Sequence, residues 1–202
     1  MSLPQMTDQT TLRQRLKQQR RTLPAEAAAR SQARILASLQ SHPWFRRARN
    51  IAAYFGSNGE IDPMPLLNRI DDPRKKLYLP VLHPLRHGQL WFCHWRPGDR
   101  LHNNRFGIPE PLPGGRCLIP ARQLDLVIVP LLGFDDHCNR LGMGGGYYDR
   151  TFAFRKRHPH ITRPRLLGLA HAFQRVEQLP TQPWDVALDG VISEKGVFSR
   201  QR

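Results

Sequence analysis

Hydrophobic positions recur at helical spacing at the start of the chain. Leu12, Leu16, Leu23, Ala27, Ile35 and Leu39 predict a long helix over 10–40, which Pro24 kinks or restarts. The period then changes. Ile51-Ala-Ala-Tyr-Phe55 is a short apolar run ended by Gly56-Ser-Asn-Gly59, the pattern of a buried strand. Pro63 precedes a short helix over 64–70. Residues 76–82 predict a second strand, and 89–95, which alternate, a third at an edge. The segment 104–111 is rich in proline and glycine and reads as loop. Residues 124–132 form the strongest strand, continuous and β-branched, and so buried on both faces. A helix over 149–157, a strand over 165–171 and a short strand at 191–193 complete the pattern. Strands alternating with helices predict an α/β fold, three layers with a largely parallel central sheet. Ligands of such sheets bind beyond the carboxyl ends of the strands.

The chain has 202 residues and a mass of 23.3 kDa, the size of one domain. That domain is expected to span 1–202, with residues 1–11 as a flexible extension. The one loose joint falls at 113–120. No apolar run reaches the ~18 residues of a membrane span, and the first residues lack a signal's apolar core. Cys93, Cys117 and Cys138 are an odd count with no C-x-x-C, which predicts a reducing cytoplasm. His83 and His87 are separated by Pro84, and no H-E-x-x-H exists, so zinc has no spacing to use.

Charge changes the picture more. There are 31 basic residues against 16 acids, a net +15. Only Lys17, Lys75, Lys76, Lys156 and Lys195 are lysines; the other 26 are arginines. Such an excess attracts polyanions: nucleic acid, phosphorylated cofactors or polyglutamate-like tails. The bland alternative is an arginine-rich solvated surface, and the scatter of these residues along the chain agrees with it. Arg13, Lys17, Arg20 and Arg21 on the first helix read either as a solvated face or as a phosphate grip. No RNP, helix-turn-helix or KH signal supports a nucleic-acid module, so nucleic acid is not required and only weak electrostatic binding follows.

The candidate chemistry lies in Arg140-Leu-Gly-Met-Gly-Gly-Gly-Tyr-Tyr-Asp-Arg150, between a buried strand and a helix. Gly142, Gly144, Gly145 and Gly146 permit positive φ and bring backbone N–H groups close to phosphates. The helix N-terminus adds a positive dipole, Arg140 and Arg150 add charge, and Asp149 could hold a phosphate-bound magnesium ion. Tyr147 stands where G-x-G-x-x-G needs glycine, and no P-loop motif exists. The other reading is a tight turn with Tyr147 and Tyr148 in the core. Gly56-Ser-Asn-Gly59 is no nucleophile elbow, and no catalytic triad suggests itself.

This stretch, with Phe134-Asp135 ahead of it, resembles the signature of the 5-formyltetrahydrofolate cyclo-ligase family, also called 5,10-methenyltetrahydrofolate synthetases. The basic N-terminal helix, Phe55-Gly-Ser-Asn-Gly-Glu60-Ile-Asp62, the 104–111 loop and Leu179-Pro…Trp184-Asp185…Asp189-Gly-Val-Ile192 agree in order. The resemblance covers about 12–195 and implies ATP-dependent conversion of 5-formyltetrahydrofolate to the 5,10-methenyl form, with release of ADP and phosphate. It implies ATP contacts from Arg140, Leu141, Gly142, Met143, Gly144, Gly145, Gly146, Tyr147 and Tyr148. Of these, Arg140, Tyr147 and Tyr148 would be catalytic, and Met143 to Tyr147 would also face the folate. Phe55 and Glu60 would form the pterin pocket, and Asp149 and Asp185 would hold Mg2+. The partners are then ATP and a folate that can carry a polyglutamate tail. Two departures stand out. Met143 and Gly145 occupy positions where some members carry basic residues. The N-terminal K-x-x-x-R falls on Gln9 and Arg13, or in a shifted register on Lys17 and Arg21. The rivals are a nucleic-acid-binding protein and a different ATP-dependent ligase on the same scaffold.

Overall fold

The computed structural model describes residues 8–112, 118–158 and 160–200. Residues 1–7, most of the 113–120 joint and Cys117 lie outside the described residues. The N-terminal helical pattern is two helices, α1 (Gln9–Arg21) and α2 (Ala25–Ser41), restarted at Pro24. Gln9, Thr10 and Thr11 are already helical. Helix α3 (Pro43–Arg47) leads into β1 (Asn50–Ala52), then α4 (Met64–Leu67) and β2 (Lys76–Leu82). Strand β3 (Leu90–Trp95), β4 (Leu101–Asn103), β5 (Pro109–Pro111), β6 (Leu118–Ile119) and β7 (Leu126–Val129) follow. The remainder is β8 (Gly133–Phe134), β9 (Arg140–Leu141), α5 (Tyr147–Phe152), α6 (Phe154–Arg157), β10 (Arg165–Leu169), β11 (Gly190–Ser193) and β12 (Gly196–Ser199).

The main sheet runs β12-β11-β10-β7-β1-β2-β3-β6. Its centre, from β11 to β2, is parallel; β12, β3 and β6 are antiparallel additions. Strand β3 is therefore not an edge: β6 pairs with it at Phe92 and Cys93. The 104–111 segment is likewise not all loop. Its end pairs back on β4 around a turn in which Gly107 has φ 72°.

Alternation along the central strands separates two apolar layers. Leu126 and Ile128 of β7, with Ile51 and Leu79, face a core filled by Ile35 and Leu39 of α2, Phe45 of α3, and Met64 and Leu67 of α4. Val127 and Val129, with Ala52 and Tyr78, face Phe152 of α5 and Phe134. The period-2 geometry of a strand sends successive side chains to opposite faces, so both faces need a helical cover. The result is the expected three-layer α/β fold. Helix α1 adds a smaller cluster, in which Leu12 and Leu16 pack on Leu141 and Leu179. No helix among the described residues is long and apolar enough to cross a membrane.

Candidate active site

Chain order reverses between β1 and β7. From β1 the next parallel strand, β2, lies on one side; from β7, β10 and then β11 lie on the other. Loops leaving two such strands diverge and open a crevice at their carboxyl ends. The loop after β1 carries Phe55 and Glu60; the segment after β7 carries the glycine loop.

The Glu60 turn is held from three sides. Glu60 Oε1 accepts from Arg20 Nη1 at 3.2 Å, and Oε2 accepts from Ser57 N at 3.2 Å and Ser57 Oγ at 3.3 Å. Arg20 is 4% exposed, and its Nε has no hydrogen-bond partner among the described residues. Gly59 has φ 77°, and a Cβ there would lie 3.1 Å from the Arg20 carbonyl oxygen, so both conformation and space favour glycine. Behind the turn, His171 Nε2 lies 3.3 Å from the Gly59 carbonyl and Nδ1 lies 2.8 Å from Ser31 Oγ. A carbonyl only accepts, so Nε2 carries the hydrogen and Nδ1 accepts the serine hydroxyl. Burial pushes the His171 pKa down and keeps the ring neutral. The Tyr54 hydroxyl donates to Ile61 O at 2.8 Å. Phe55 is half-buried, edge-on to Trp95 with ring centroids 5.8 Å apart.

The glycine loop is anchored at its ends. Ahead of it, buried Asp135 accepts from the N–H groups of His137, Asn139 and Leu179 and from Asn139 Nδ2, which closes the β8–β9 hairpin. That hairpin delivers Arg140. Its guanidinium donates to Val186 O at 2.5 Å and to Asp149 Oδ1 at 2.8 Å, and lies 5.9 Å from the Tyr148 ring centroid. Asp149 Oδ1 also accepts from Val186 N at 3.0 Å. Leu141 turns its side chain into the α1 cluster, so only its backbone is available at the loop. Gly142 O accepts from Arg13 Nε at 3.0 Å. Met143, Gly144 and Gly145 are exposed. Positive φ falls on Gly144 (104°) and Gly146 (63°), not on Gly142 or Gly145. At the far end Arg150 donates to the carbonyls of Gly145 and Gly88, and its guanidinium lies 5.6 Å from the Tyr147 ring centroid. Helix α5 has six residues, so its dipole is small. Positive charge at the loop comes from Arg13 and Arg150 instead.

Tyr147 and Tyr148 are half-buried. The Tyr147 hydroxyl accepts from Arg105 Nη2 at 2.9 Å, and Phe106 packs edge-on to its ring. The Tyr148 phenol is pushed far up by burial, with Glu60 adding to the shift against Arg140. The Glu60 charge is thus felt at the start of α5, and the two walls are neighbours.

Helix α1 spans both walls. Arg13 reaches the glycine loop, Lys17 follows one turn later, and Arg20 reaches Glu60. Gln9 stands beside Arg13, accepting its Nη2 at 2.8 Å and donating to Pro180 O. The unshifted register, Gln9 and Arg13, is therefore the one brought to the loop; Arg21 is exposed on the helix flank. Asp185 Oδ2 accepts from Gln182 N at 2.8 Å, and its neighbour Val186 is bonded to Asp149, so the two expected metal carboxylates stand on adjoining segments. No cluster of three or more His, Cys, Asp or Glu suited to a metal exists among the described residues. Sequence reasoning missed Arg105 and His171 as site residues and gave Arg20 no specific role. Arg20 continues the Arg13 stripe seven residues on; the other two join the site only through chain crossings that no local pattern announces.

Comparison with known proteins agrees with this arrangement. The model of the 5-formyltetrahydrofolate cyclo-ligase family matches residues 5–194. The 5-formyltetrahydrofolate cyclo-ligase of Escherichia coli K12 is 36% identical over 183 residues, covering 91% of this chain and 98% of that protein. The Haemophilus influenzae protein of the same name is 37% identical over 187 residues, with the same coverage of 91% and 98%. The solution structure of Aquifex aeolicus 5,10-methenyltetrahydrofolate synthetase superposes with a TM-score of 0.78 at 29% identity, covering 96% of this chain and 93% of that one. A strand-order switch lined by Glu60 and the glycine loop, on a chain that the family model matches over residues 5–194, carries one conclusion: the chain belongs to the 5-formyltetrahydrofolate cyclo-ligase family.

Proposed function

We propose that this protein is a cytoplasmic enzyme that closes 5-formyltetrahydrofolate to 5,10-methenyltetrahydrofolate at the expense of ATP. The observation that carries this reading is one helix, α1, reaching a largely buried carboxylate at Glu60 and the glycine loop at Gly142. Glu60 Oε1 keeps an acceptor position beyond its bond to Arg20, and the Ser57 contacts on Oε2 are long enough to yield. A pterin's amino and ring N–H groups fit such an acceptor. Phe55 supplies an apolar face beside it. The formyl group then lies toward Tyr147 and the exposed amides of 143–146.

The reaction needs the formyl oxygen made into a leaving group. It attacks the γ-phosphorus, ADP departs, and the formyl carbon becomes electrophilic. The second folate nitrogen adds to that carbon, loses its proton, and inorganic phosphate leaves. Charge develops on transferring phosphoryl oxygens, so the protein's part is positioning and neutralisation. Arg13 and Arg150 flank the loop for that task. Arg140, tied to Asp149 and Val186, sets the loop's start and with Tyr147 and Tyr148 shapes its floor.

The residues present fit a magnesium ion arriving with ATP. Asp149 uses Oδ1 for Arg140 and Val186, and Asp185 uses Oδ2 for Gln182; each carboxylate keeps one oxygen without a protein donor among the described residues. Magnesium needs only one or two carboxylates when phosphates and water complete its shell. When bound it offsets charge on the phosphates.

Incubation with ATP, magnesium and 5-formyltetrahydrofolate, followed by the methenyl chromophore, tests the reading; no ATP-dependent product sinks it. Asp149→Asn separates a metal role from a tether for Arg140. A metal role raises the magnesium concentration needed for half-maximal rate, whereas a tether alone lowers kcat equally at every magnesium concentration.

A further inference from the structure

The centre of the glycine loop carries no cation of its own, and the arginines at its ends are partly spent on the protein. Arg13 gives Nε to Gly142 O and Nη2 to Gln9 Oε1. Arg140 bonds Val186 O and Asp149, and Arg150 bonds the carbonyls of Gly88 and Gly145. A basic side chain on the loop itself is crowded out at one position: a Cβ added at Gly145 would lie 3.0 Å from the Tyr147 ring. A further guanidinium reaches this point from outside the loop. Arg105, at the turn between β4 and β5, is exposed and donates from Nη2 to the Tyr147 hydroxyl at 2.9 Å. It forms no ion pair among the described residues. A phenol is a neutral acceptor, so the charge of Arg105 stands at the loop without a counter-ion from those residues.

The turn that carries Arg105 is set in advance. Strands β4 and β5 form a two-stranded sheet apart from the main one. Asn104 Oδ1 accepts from Phe106 N at 2.9 Å and Ile108 N at 3.2 Å, and Asn104 Nδ2 donates to Glu110 Oε2 at 3.1 Å. That buried carboxylate also accepts from Leu82 N at 3.3 Å. Leu82 ends β2, so the turn is tied to the carboxyl end of a parallel strand, where ligands of such sheets bind. Phe106 steadies the contact by packing edge-on to Tyr147. Resting on the reaction proposed above, we propose that Arg105 is a catalytic residue: it reaches in from the β4–β5 turn and holds the transferring phosphoryl group. In that step the bond from the ADP oxygen to the γ-phosphorus breaks and the bond from the formyl oxygen to that phosphorus forms. Arg105 gives up no proton; it donates hydrogen bonds to the equatorial phosphoryl oxygens as the group passes between the two. The Tyr147 hydroxyl, accepting from Arg105, is the brace that aims it.

The test compares wild type with Arg105→Ala, Arg105→Lys, Tyr147→Phe and the Arg105→Ala, Tyr147→Phe double variant on ATP, magnesium and 5-formyltetrahydrofolate. Arg105 is exposed, so its removal leaves the melting temperature near that of wild type. Arg105→Ala is expected to lower kcat about a hundredfold while the folate KM stays within about twofold. Arg105→Lys, a cation without the fork, recovers part of that loss. Guanidinium ion added at millimolar concentration also recovers part of it in Arg105→Ala and does nothing for Tyr147→Phe. On the Tyr147→Phe background, Arg105→Ala still costs about tenfold or more in kcat. A double variant no worse than Tyr147→Phe overturns the proposal, because Arg105 then acts only through the hydroxyl. So does an Arg105→Ala enzyme with wild-type kcat, or one that changes only in folate KM. A second measurement needs no turnover. The β,γ-imido analogue of ATP and ADP are each titrated with magnesium by calorimetry. An affinity about tenfold weaker for the analogue in Arg105→Ala, with ADP unchanged, supports Arg105 at the γ-phosphoryl group. That result stands even if wild type makes no methenyl product, an outcome that would sink only the folate reading. Equal losses for both nucleotides, or none for either, overturn the assignment.

Discussion

Glu60 and the glycine loop are both reached from α1, yet they are held in opposite ways. The Glu60 turn is backed by groups that are almost wholly buried: Arg20 at 4%, Tyr54 at 6% and His171 at 2% exposure. Each holds a bond to the turn or its flank, so the carboxylate is in place before any ligand arrives. The glycine loop is gripped at Gly142 by Arg13 and at Gly145 by Arg150, while Met143 and Gly144 between them are exposed. A flat, polar ring edge is best met by a fixed acceptor, because ordering the acceptor during binding costs affinity. Phosphates that arrive, change charge and leave as separate products suit a loop whose amides can adjust. Substitutions that loosen the first wall or stiffen the second test the contrast.

The largest effect is expected at the anchor of the glycine-loop wall. Arg140→Ala leaves Asp149 and the Val186 carbonyl without their buried partner, the Arg140 side chain being only 6% exposed. Breaking a buried pair by removing one member costs roughly 3–5 kcal/mol. The expected outcome is a fall in kcat/KM of about a thousandfold, with a lowered melting temperature. A variant within tenfold of wild type would show that the loop keeps its place without Arg140.

Glu60→Gln comes next. It removes the charge that polarises two ligand N–H groups and faces Arg20, a loss of roughly 1.5–3 kcal/mol, or about 10- to 100-fold in folate KM. The KM for ATP should stay within twofold. Steady-state kinetics with each substrate varied in turn decides the matter, and an unchanged folate KM takes Glu60 out of the pocket.

The glycine loop is probed without adding bulk. Gly144 has φ 104°, and a Cβ added there would meet nothing within 4 Å, so Gly144→Ala adds backbone strain and no clash. A side chain in that region costs on the order of 1–3 kcal/mol. Turnover should drop about tenfold while folate binding changes little. Gly142 has equal space and no positive φ, so Gly142→Ala should behave as wild type. Equal behaviour of the two variants would mean that the loop's conformation is unimportant.

The smallest effect concerns His171. Its pKa is held below the ordinary value of 6.5 by burial, so the unfolded chain takes up a proton that the folded chain resists. The stability contributed by the neutral ring is complete above pH 6.5 and is lost as pH falls toward the lower folded-state value. His171→Gln should flatten the decline in urea midpoint between pH 7.5 and 5.5. It should also raise folate KM about threefold while leaving kcat near wild type, since only the Gly59 turn is released. A pH dependence identical to wild type would give the acid sensitivity to other groups, such as His42 and His94, whose pKa values are also lowered by burial.

Part of the fold is legible from residues alone. Strand β2 has the bounds its pattern predicts, because its apolar and polar positions change sharply at both ends. The strand predicted over 124–132 is longer than the one observed. Only Leu126–Val129 pair in the sheet, while Leu124, Leu131 and Leu132 are buried by turns around it. Apolar content reports burial, and burial continues past the last ladder hydrogen bond. Strands β6, β8 and β9 have two residues each, too few to show any period. They exist because a neighbouring edge was there to pair with.

The same division holds for the site. Sequence alone determined the α/β class, the restart at Pro24, the glycine loop with its flanking arginines and the acid at 60, because each depends on backbone chemistry within a few neighbours. Only the tertiary structure decided that Arg20 is buried against Glu60, that Leu141 faces inward, that Arg105 reaches Tyr147 and that His171 braces Gly59. The sequence separations are 40 residues for Arg20–Glu60, 42 for Arg105–Tyr147 and 112 for His171–Gly59. Periodicity has no memory over such spans. Strand order at the β1–β7 switch brings these segments together, and that order follows from how two apolar faces are covered at once.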